Sequence, residues 1–160
     1  MSLAFPRPPA RAGENIGLIP GGFQEASLYV RGRHRVVLRR KTGFIKYALQ
    51  FGYKVVPVYV FGEEQTLWKI DLLPKRFALW LNKFNVPATV FYGKYGLLPD
   101  DDIDMRVVVG EPLKLPLIPN PSAEDVSKHH ARYVEALRGL FNRHKRVVGG
   151  VAADVELEIM

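Results

Sequence analysis

Apolar residues along the chain fall into short β-branched runs and longer stretches with helical spacing. The runs predict four strands, over Asn15–Ile19, Lys54–Phe61, Ala88–Tyr92 and Met105–Val109. Apolar positions three and four residues apart predict three helical stretches, over Gly43–Phe51, over Gln65–Phe84 with a break at Pro74, and from Ser122 to about Lys145. Strands and helices that alternate in this way are typical of an α/β fold with a mixed sheet.

Several residues predict where these elements begin and end. Thr42 is expected at the N-cap of the helix over Gly43–Phe51, and Gly52 closes that helix. Ser122 with Asp125 three residues later predicts a capping box at the start of the long helix.

The run over Lys54–Phe61 has the composition of a strand that is covered on both faces. Pro57 lies inside it and cannot donate a ladder hydrogen bond, so this strand is expected at a sheet edge or at a bulge. The proline-rich stretch from Leu113 to Pro121 predicts an extended connector.

A glycine turn, Pro20-Gly21-Gly22, follows the first predicted strand, and a carboxylate, Glu25, comes three residues later. Paired glycines permit positive φ and a close approach of a ligand or of another backbone. Ligands of α/β sheets gather at the carboxyl ends of strands, where this turn is expected. Glu63 similarly follows Gly62 at the end of the second predicted strand. A purely structural turn explains the same residues, and both interpretations stay open.

Composition and charge limit the class of protein to which the chain can belong. The chain has 160 residues, 48% hydrophobic and 24% charged, which predicts one folded domain over 14–147, preceded by a flexible lead-in over 1–13 and followed by a tail over 148–160. A net charge of +7 points to an anionic partner such as a membrane surface, a phosphorylated ligand or nucleic acid. The absence of cysteine excludes disulfides and thiolate chemistry. No apolar run reaches the roughly 18 residues of a membrane span, and no signal peptide is expected.

Catalytic and metal-binding motifs are absent from the sequence. None of the four histidines, His34, His129, His130 and His144, has a carboxylate at the spacing of an oriented general base. The aspartates around Asp101 match no metal-ligand spacing, so no metal is expected. The basic, aromatic stretch over Gln65–Phe84 suits an anionic membrane interface, or packs its apolar side in the core with solvated lysines.

Several segments carry a resemblance to a known family. They are Pro20-Gly21-Gly22-Phe23-Gln24-Glu25-Ala26, Val37-Leu38-Arg39-Arg40-Lys41-Thr42-Gly43-Phe44, Val56-Pro57-Val58-Tyr59-Val60-Phe61-Gly62-Glu63, Tyr95-Gly96-Leu97-Leu98-Pro99 and Val108-Val109-Gly110-Glu111-Pro112-Leu113. In order and spacing this set, with further matches up to Lys145, resembles the type-2 diacylglycerol acyltransferases and monoacylglycerol acyltransferases.

The resemblance implies a fold, a reaction and a location. The fold would be a glycerolipid-acyltransferase-like α/β sandwich with a mixed central sheet, incomplete in this chain. Such proteins transfer a fatty acyl group from acyl-CoA to diacylglycerol or monoacylglycerol in triacylglycerol synthesis. Acyl-CoA is a co-substrate, and neither a cofactor nor a metal is implied. The chain is expected peripherally at the cytosolic face of the endoplasmic reticulum membrane, with no nucleic-acid partner and with an unknown oligomeric state.

The resemblance also implies which residues bind substrate. The glycine turn takes the place of the acceptor-binding block of related glycerol-phosphate acyltransferases, and a basic cluster could serve the phosphates of CoA. The implied substrate-binding residues are Gly21, Gly22, Phe23, Glu25, Arg39, Arg40, Lys41 and Glu63. A solvated basic loop, or a contact with anionic lipid, explains the arginines and lysine equally well.

One departure from the family pattern concerns catalysis. The family's His-Pro-His-Gly signature, which lies upstream of the glycine turn, does not occur in this sequence, and His34 stands downstream of the turn in Gly-Arg-His-Arg. No catalytic residue is therefore assigned, and the chain alone is expected to be inactive. The alternatives are a non-catalytic protein that binds lipid or acyl-CoA and, in last place, a nucleic-acid binder.

Overall fold

The chain contains both helices and strands in the computed structural model, which describes residues 15–71, 89–93, 96 and 102–160. The elements are α1 (Phe23–Leu28), β1 (Arg35–Val36), α2 (Gly43–Phe51), β2 (Val58–Phe61), a 3₁₀ turn (Glu63–Gln65), β3 (Trp68–Asp71), β4 (Thr89–Tyr92), β5 (Arg106–Val109), α3 (Ala123–His144) and β6 (Glu158–Ile159). Among these described residues, no helix combines the length and the apolar content that a bilayer crossing needs.

The described strands pair in three ladders. β1 lies parallel to β6, with Arg35 opposite Glu158, whereas β2 is antiparallel to β5 and β3 is antiparallel to β4. Val55 and Leu113 form a further antiparallel bridge that prolongs the β2–β5 pairing. The described part of the chain therefore contains both parallel and antiparallel pairs.

The hydrophobic core lies where α3 packs against α2 and against one face of β2. The fully buried large side chains are Phe61, Phe141, Ile45, Leu49, Leu140 and Pro57. Full burial of a side chain of this size stabilises the fold by about 1.5–3 kcal/mol. The helix α3 thus supplies much of the surface on which the other elements assemble.

Both helices for which caps were predicted are confirmed. Of the two predicted N-cap interactions, one is present and one is not. The helix α2 has the predicted bounds, and Gly52 closes it with φ 68°. Thr42 precedes α2 in a helical conformation and its side chain makes no capping bond, so the expected cap interaction is wrong. At α3, Ser122 Oγ accepts from the Asp125 N–H at 3.0 Å, and the Ser122 N–H donates to Asp125 Oδ2 at 2.9 Å, which confirms the capping box.

The prediction of a buried strand over Asn15–Ile19 is wrong. The segment has no regular structure, and Ile16, Leu18 and Ile19 are exposed. Within the described residues no strand lies beside it, so neither a ladder nor a core covers its apolar side chains. A short apolar run predicts a strand only when a partner strand is available.

The strand β2 is confirmed, and the described elements cover one of its faces, not both as predicted. Tyr59 and Phe61 are buried, whereas Val58 on the other face is exposed. Pro57 precedes β2, and its carbonyl accepts from the Gly110 N–H at 2.8 Å. Among the described strands β2 pairs with β5 alone, as the edge position predicted from Pro57 requires.

The helical prediction over Gln65–Phe84 is wrong where it can be compared. Trp68–Asp71 forms β3, which pairs with β4 in place of a helical turn. Long-range pairing here overrides a local spacing that matches a helix. Residues 72–84, the rest of this stretch, lie outside the described residues. The predicted strands over Ala88–Tyr92 and Met105–Val109 are confirmed as β4 and β5.

The C-terminal segment takes part in the fold. Residues 148–160 were expected to form a tail, yet β6 lies in this segment, and Leu157 and Ile159 are buried in the core. The predicted lead-in over 1–13 lies outside the described residues.

The two helix starts give a matched test of capping. We expect Ser122→Ala to lower the free energy of unfolding by about 1 kcal/mol, because it removes the acceptor of the Asp125 N–H bond. Thr42→Ala is the control, and we expect it to change stability by less than about 0.5 kcal/mol, since Thr42 makes no capping bond. Urea denaturation followed by circular dichroism measures both. Equal losses for the two variants would contradict the assignment.

Candidate functional site

The glycine turn connects the exposed segment 15–19 to α1. Gly22 has φ 55°, in the left-handed region, which confirms that one of the two glycines has positive φ. A Cβ on Gly22 would meet no atom within 4 Å, so the backbone there is open. The Gly22 carbonyl accepts from the Glu25 N–H at 3.1 Å. Phe23 is the first residue of α1.

The carboxylate of Glu25 folds back over Gly21. A Cβ on Gly21 would overlap this carboxylate, so glycine is required for the side chain to lie there. Glu25 Oε1 accepts from the backbone N–H of Val37 at 2.9 Å. Glu25 thus fixes the glycine turn to the chain just after β1.

The charged side chains of Lys41 and Glu63, from two other parts of the chain, act on the carboxyl of Glu25. Burial raises the pKa of the Glu25 carboxyl, while the hydrogen bond from Val37 opposes this shift. The charge of Glu63 raises the pKa of Glu25 further, and the charge of Lys41 lowers it. Of the predicted site residues, the structure therefore brings Gly21, Glu25, Glu63 and Lys41 into one region.

Two further predicted residues, Arg39 and Arg40, lie in an exposed turn beside this region. The N–H groups of Leu38 and Arg39 both donate to the carbonyl of Met160, at 2.9 and 2.7 Å, which holds the turn against the C-terminal segment. The two arginine side chains face solvent next to Lys41.

Two other cations, Arg33 and Arg35, are already paired. Glu158 in β6 forms ion pairs with Arg33 and with Arg35, the latter at 2.6 Å between Nε and Oε2. An anionic ligand of this surface would therefore meet Arg39, Arg40 and Lys41 before these two arginines.

His34, Tyr59 and Glu64 form a buried polar cluster where the loop between α1 and β1 meets the end of β2. His34 Nδ1 is 3.0 Å from the Tyr59 hydroxyl and 3.7 Å from Glu64 Oε2, and all three side chains are buried. The sequence places no carboxylate next to His34, because Glu64 is distant from it along the chain. One indication of Glu64 was available in the sequence: it directly follows Glu63, a predicted site residue, after β2.

Burial dominates the electrostatics of this cluster. It lowers the pKa of His34, and the nearby Glu64 carboxylate opposes part of this shift. It also raises the pKa of Tyr59, helped by the charges of Glu64, Glu63 and Glu25. The stable arrangement is a neutral imidazole beside a protonated phenol.

The partners of Glu64 give the cluster a structural role. Its carboxylate accepts from the Gly62 N–H at 3.1 Å and from the Gln65 amide at 3.2 Å. Its carbonyl accepts from the Tyr29 hydroxyl at 2.7 Å and from the Gly32 N–H at 3.0 Å. The cluster fastens the loop between α1 and β1 to the end of β2, and His34 is only 5% exposed, which keeps a substrate hydroxyl away from it.

Potential metal ligands do not gather anywhere in the ranges that the structure describes. No group of three or more histidine and carboxylate side chains there is arranged to hold a metal ion.

Gly21 and Glu25 form a pair that can be tested. We expect Gly21→Ala to lower the free energy of unfolding by about 1 kcal/mol or more, because the displaced carboxylate leaves the Val37 N–H without its acceptor. Gly17→Ala is the control, since a Cβ on Gly17 meets no atom within 4 Å. In a Glu25→Ala background the cost of Gly21→Ala should largely vanish. Chemical denaturation of the four variants measures this coupling, and additive effects would contradict it.

The charge state of His34 can be read from the pH dependence of stability. Its folded-state pKa lies below its value in the unfolded chain, so the unfolded chain binds the proton first as the pH falls through about 6.5. His34→Asn keeps a neutral hydrogen-bonding group at every pH. We therefore expect the stability advantage of the native chain over His34→Asn to shrink between pH 7.5 and pH 5.5. An advantage that grows at acid pH would instead show an ion pair of protonated His34 with Glu64.

Comparison with known proteins finds relatives that are named as acyltransferases. Acyl-CoA wax alcohol acyltransferase 2 of Homo sapiens is 35% identical over 159 residues, which cover 92% of this chain and 47% of the relative. Acyl-CoA wax alcohol acyltransferase 1 of Homo sapiens is 38% identical, with 86% and 45% covered. Diacylglycerol O-acyltransferase 2 of Homo sapiens is 31% identical, with 86% and 38% covered. The chain spans about half the length, or less, of these curated relatives.

No solved structure matches the chain. The sequence model of the family described as diacylglycerol acyltransferase matches residues 8–160, which is nearly the whole chain. The match includes the glycine turn, Glu25, the Arg39–Lys41 cluster and Glu63. On this evidence the chain belongs to the diacylglycerol acyltransferase family.

Proposed function

We propose that this protein acts in acyl-CoA-dependent O-acyl transfer to a neutral lipid, and that the chain supplies the surface that binds acceptor and acyl-CoA. The observation that carries the proposal is the family match over residues 8–160, together with relatives that are named as acyltransferases. We also propose that the described elements belong to an α/β sandwich of the glycerolipid-acyltransferase kind.

The proposed reaction is a transesterification. The acceptor hydroxyl attacks the thioester carbonyl, the C–O bond of the new ester forms, the C–S bond breaks, and the hydroxyl proton ends on the CoA thiol. A base and a group that stabilises the developing oxyanion would be required. The glycine turn suits the acceptor, because Gly22 leaves its backbone open and Glu25 is held beside it.

Acyl-CoA would bind through its phosphates at the exposed turn. Arg39 and Arg40 face solvent next to Lys41, and guanidinium groups match phosphate geometry. This assignment places the CoA moiety on the same side of the molecule as Glu25, whose pKa responds to Lys41.

Two acceptor classes are supported by different observations. Diacylglycerol, with monoacylglycerol as its close analogue, is supported by the family description and by the 31% identical relative. A wax alcohol is supported by the relatives with 35% and 38% identity. Both are neutral lipids with a free hydroxyl, so the same turn would receive either.

A membrane surface is the proposed location, at the cytosolic face of the endoplasmic reticulum. The net charge of +7 favours an anionic surface. The Arg31 guanidinium lies 4.1 Å from the centre of the half-exposed Trp68 ring, and Trp68 stacks near Tyr92 on the β3–β4 pair. Exposed aromatic rings combined with cations are typical of a membrane–water interface.

A chimera tests the proposed activity. In acyl-CoA wax alcohol acyltransferase 2 of Homo sapiens, the region aligned with this chain is replaced by the chain's own residues. We expect membranes that contain the chimera to transfer labelled oleate from oleoyl-CoA to dioleoylglycerol, monooleoylglycerol or hexadecanol. The preferred acceptor then decides between the two classes.

Three variants of the chimera separate the proposed roles. We expect Glu25→Gln to lower the rate about tenfold or more, a loss of about 1.4 kcal/mol in transition-state stabilisation. Arg39→Ala with Arg40→Ala should mainly raise the KM for oleoyl-CoA, most clearly at low salt. Gly17→Ala is the control and should behave as the parent. A folded chimera that binds oleoyl-CoA but makes no ester with any acceptor would favour the non-catalytic alternative.

A further inference from the structure

The outer face of the β2–β5 pair consists of four valines. In the antiparallel register, Val58 lies opposite Val109 and Val60 lies opposite Val107, so these side chains share one face, here called the valine face. The other face carries Tyr59 and Phe61, which pack against α3 in the core. The two faces of this pair are therefore both apolar, and one of them lacks cover among the described elements.

The exposure of the valine face is high for contiguous apolar residues. Val58, Val107 and Val109 are 45%, 63% and 65% exposed, and Met105 just before β5 is exposed as well. Single exposed valines are ordinary on a protein surface, but neighbours that share one sheet face form a patch, and patches mark interaction sites. A strand run that is apolar on both faces is typical of a sheet covered on both sides.

The geometry points to a protein docking surface: the valine face receives a segment of the acyltransferase fold that the relatives carry outside the region aligned with this chain. Three relatives extend well beyond that region, because this chain covers only 38–47% of their length. The inference rests on family membership and on the exposed face, and it does not depend on the proposed activity.

The chemistry of the patch favours a protein over a lipid surface. The valine face is β-branched and flat, and none of its four positions carries a tryptophan, tyrosine, lysine or arginine, the residues typical of a membrane interface. Arg106 in β5 lies opposite Phe61, on the other face, and pairs with Asp104 at 2.8 Å between Nε and Oδ2. β-Branched side chains on a pleated surface instead suit the packing of a helix or a second sheet.

The pairing of the strands supports the same conclusion. Within the described residues, β2 has β5 as its one partner, and β5 has β2. Two-stranded sheets are marginal unless other elements pack against them, and α3 does so on one face only. A docked segment would cover the second face.

The test measures binding between two purified polypeptides. One is the 160-residue chain, and the other is the part of acyl-CoA wax alcohol acyltransferase 2 of Homo sapiens that lies outside the aligned region, produced separately in detergent micelles. We expect a saturable complex. Val107→Thr with Val109→Thr should weaken it at least tenfold, because threonine keeps the shape and the strand propensity but places hydroxyl groups in an apolar interface.

Val147→Thr is the matched control, since Val147 is 84% exposed and lies after α3, outside the valine face. It should change the dissociation constant less than twofold. Circular dichroism spectra and melting temperatures should be alike for the three chains, which separates lost docking from lost folding. Binding is measured without acyl transfer, so a negative result here leaves the proposed function standing.

Three outcomes would overturn the inference. The first is no binding by the native chain, or equal binding by the double variant. The second is a change confined to self-association, seen by light scattering, which would make a second copy of the chain the occupant. The third is a change confined to flotation with phosphatidylcholine and phosphatidylserine vesicles, which would make the valine face a lipid contact.

Discussion

The packing of α3 on β2 through Phe141 is the interaction on which the rest of the structure depends. The Phe141 ring lies 5.1–5.5 Å, between centroids, from the rings of His34, Tyr59 and Phe61. These contacts join the long helix, the second strand and the loop before β1. Aromatic pairs in such arrangements add about 0.5–1.5 kcal/mol each beyond their area burial. Because this cluster fixes the loop that contains His34, it also sets the position of β1 and of the chain that follows.

The candidate site is built on that fixed loop. The turn of Gly21 and Gly22 is attached to the chain just after β1 by the bond from the Val37 N–H to the Glu25 carboxylate. The buried Glu64 and His34 hold the loop before β1 to the end of β2. A half-buried carboxylate with a raised pKa is thereby placed beside Lys41 and the exposed arginines. This combination of a positioned carboxylate, an open glycine backbone and exposed arginines is what the proposed binding of acceptor and acyl-CoA uses.

The strand β2 illustrates how one element serves two purposes. Its inner residues, Tyr59 and Phe61, hold the core, and the carboxylates that follow them, Glu63 and Glu64, reach the site and the buried cluster. Its outer residues form half of the valine face. The uniform apolar composition that predicted coverage on both faces therefore fits the proposed docking of a further segment, although the described elements cover one face only.

Local information in the sequence determined α2, α3, β4, β5 and the positive φ within the glycine turn. Caps, glycines and apolar spacing act over a few residues, so α2 and α3 could be placed from Gly52, Ser122 and Asp125. Only the tertiary structure decided what depends on distant partners. Asn15–Ile19 is not a strand, and no described strand pairs with it, whereas Trp68–Asp71 is a strand because it pairs with β4. Glu25 meets Val37, and His34 meets Tyr59 and Glu64, through folding that brings together residues far apart in sequence, and no local pattern encodes such a contact.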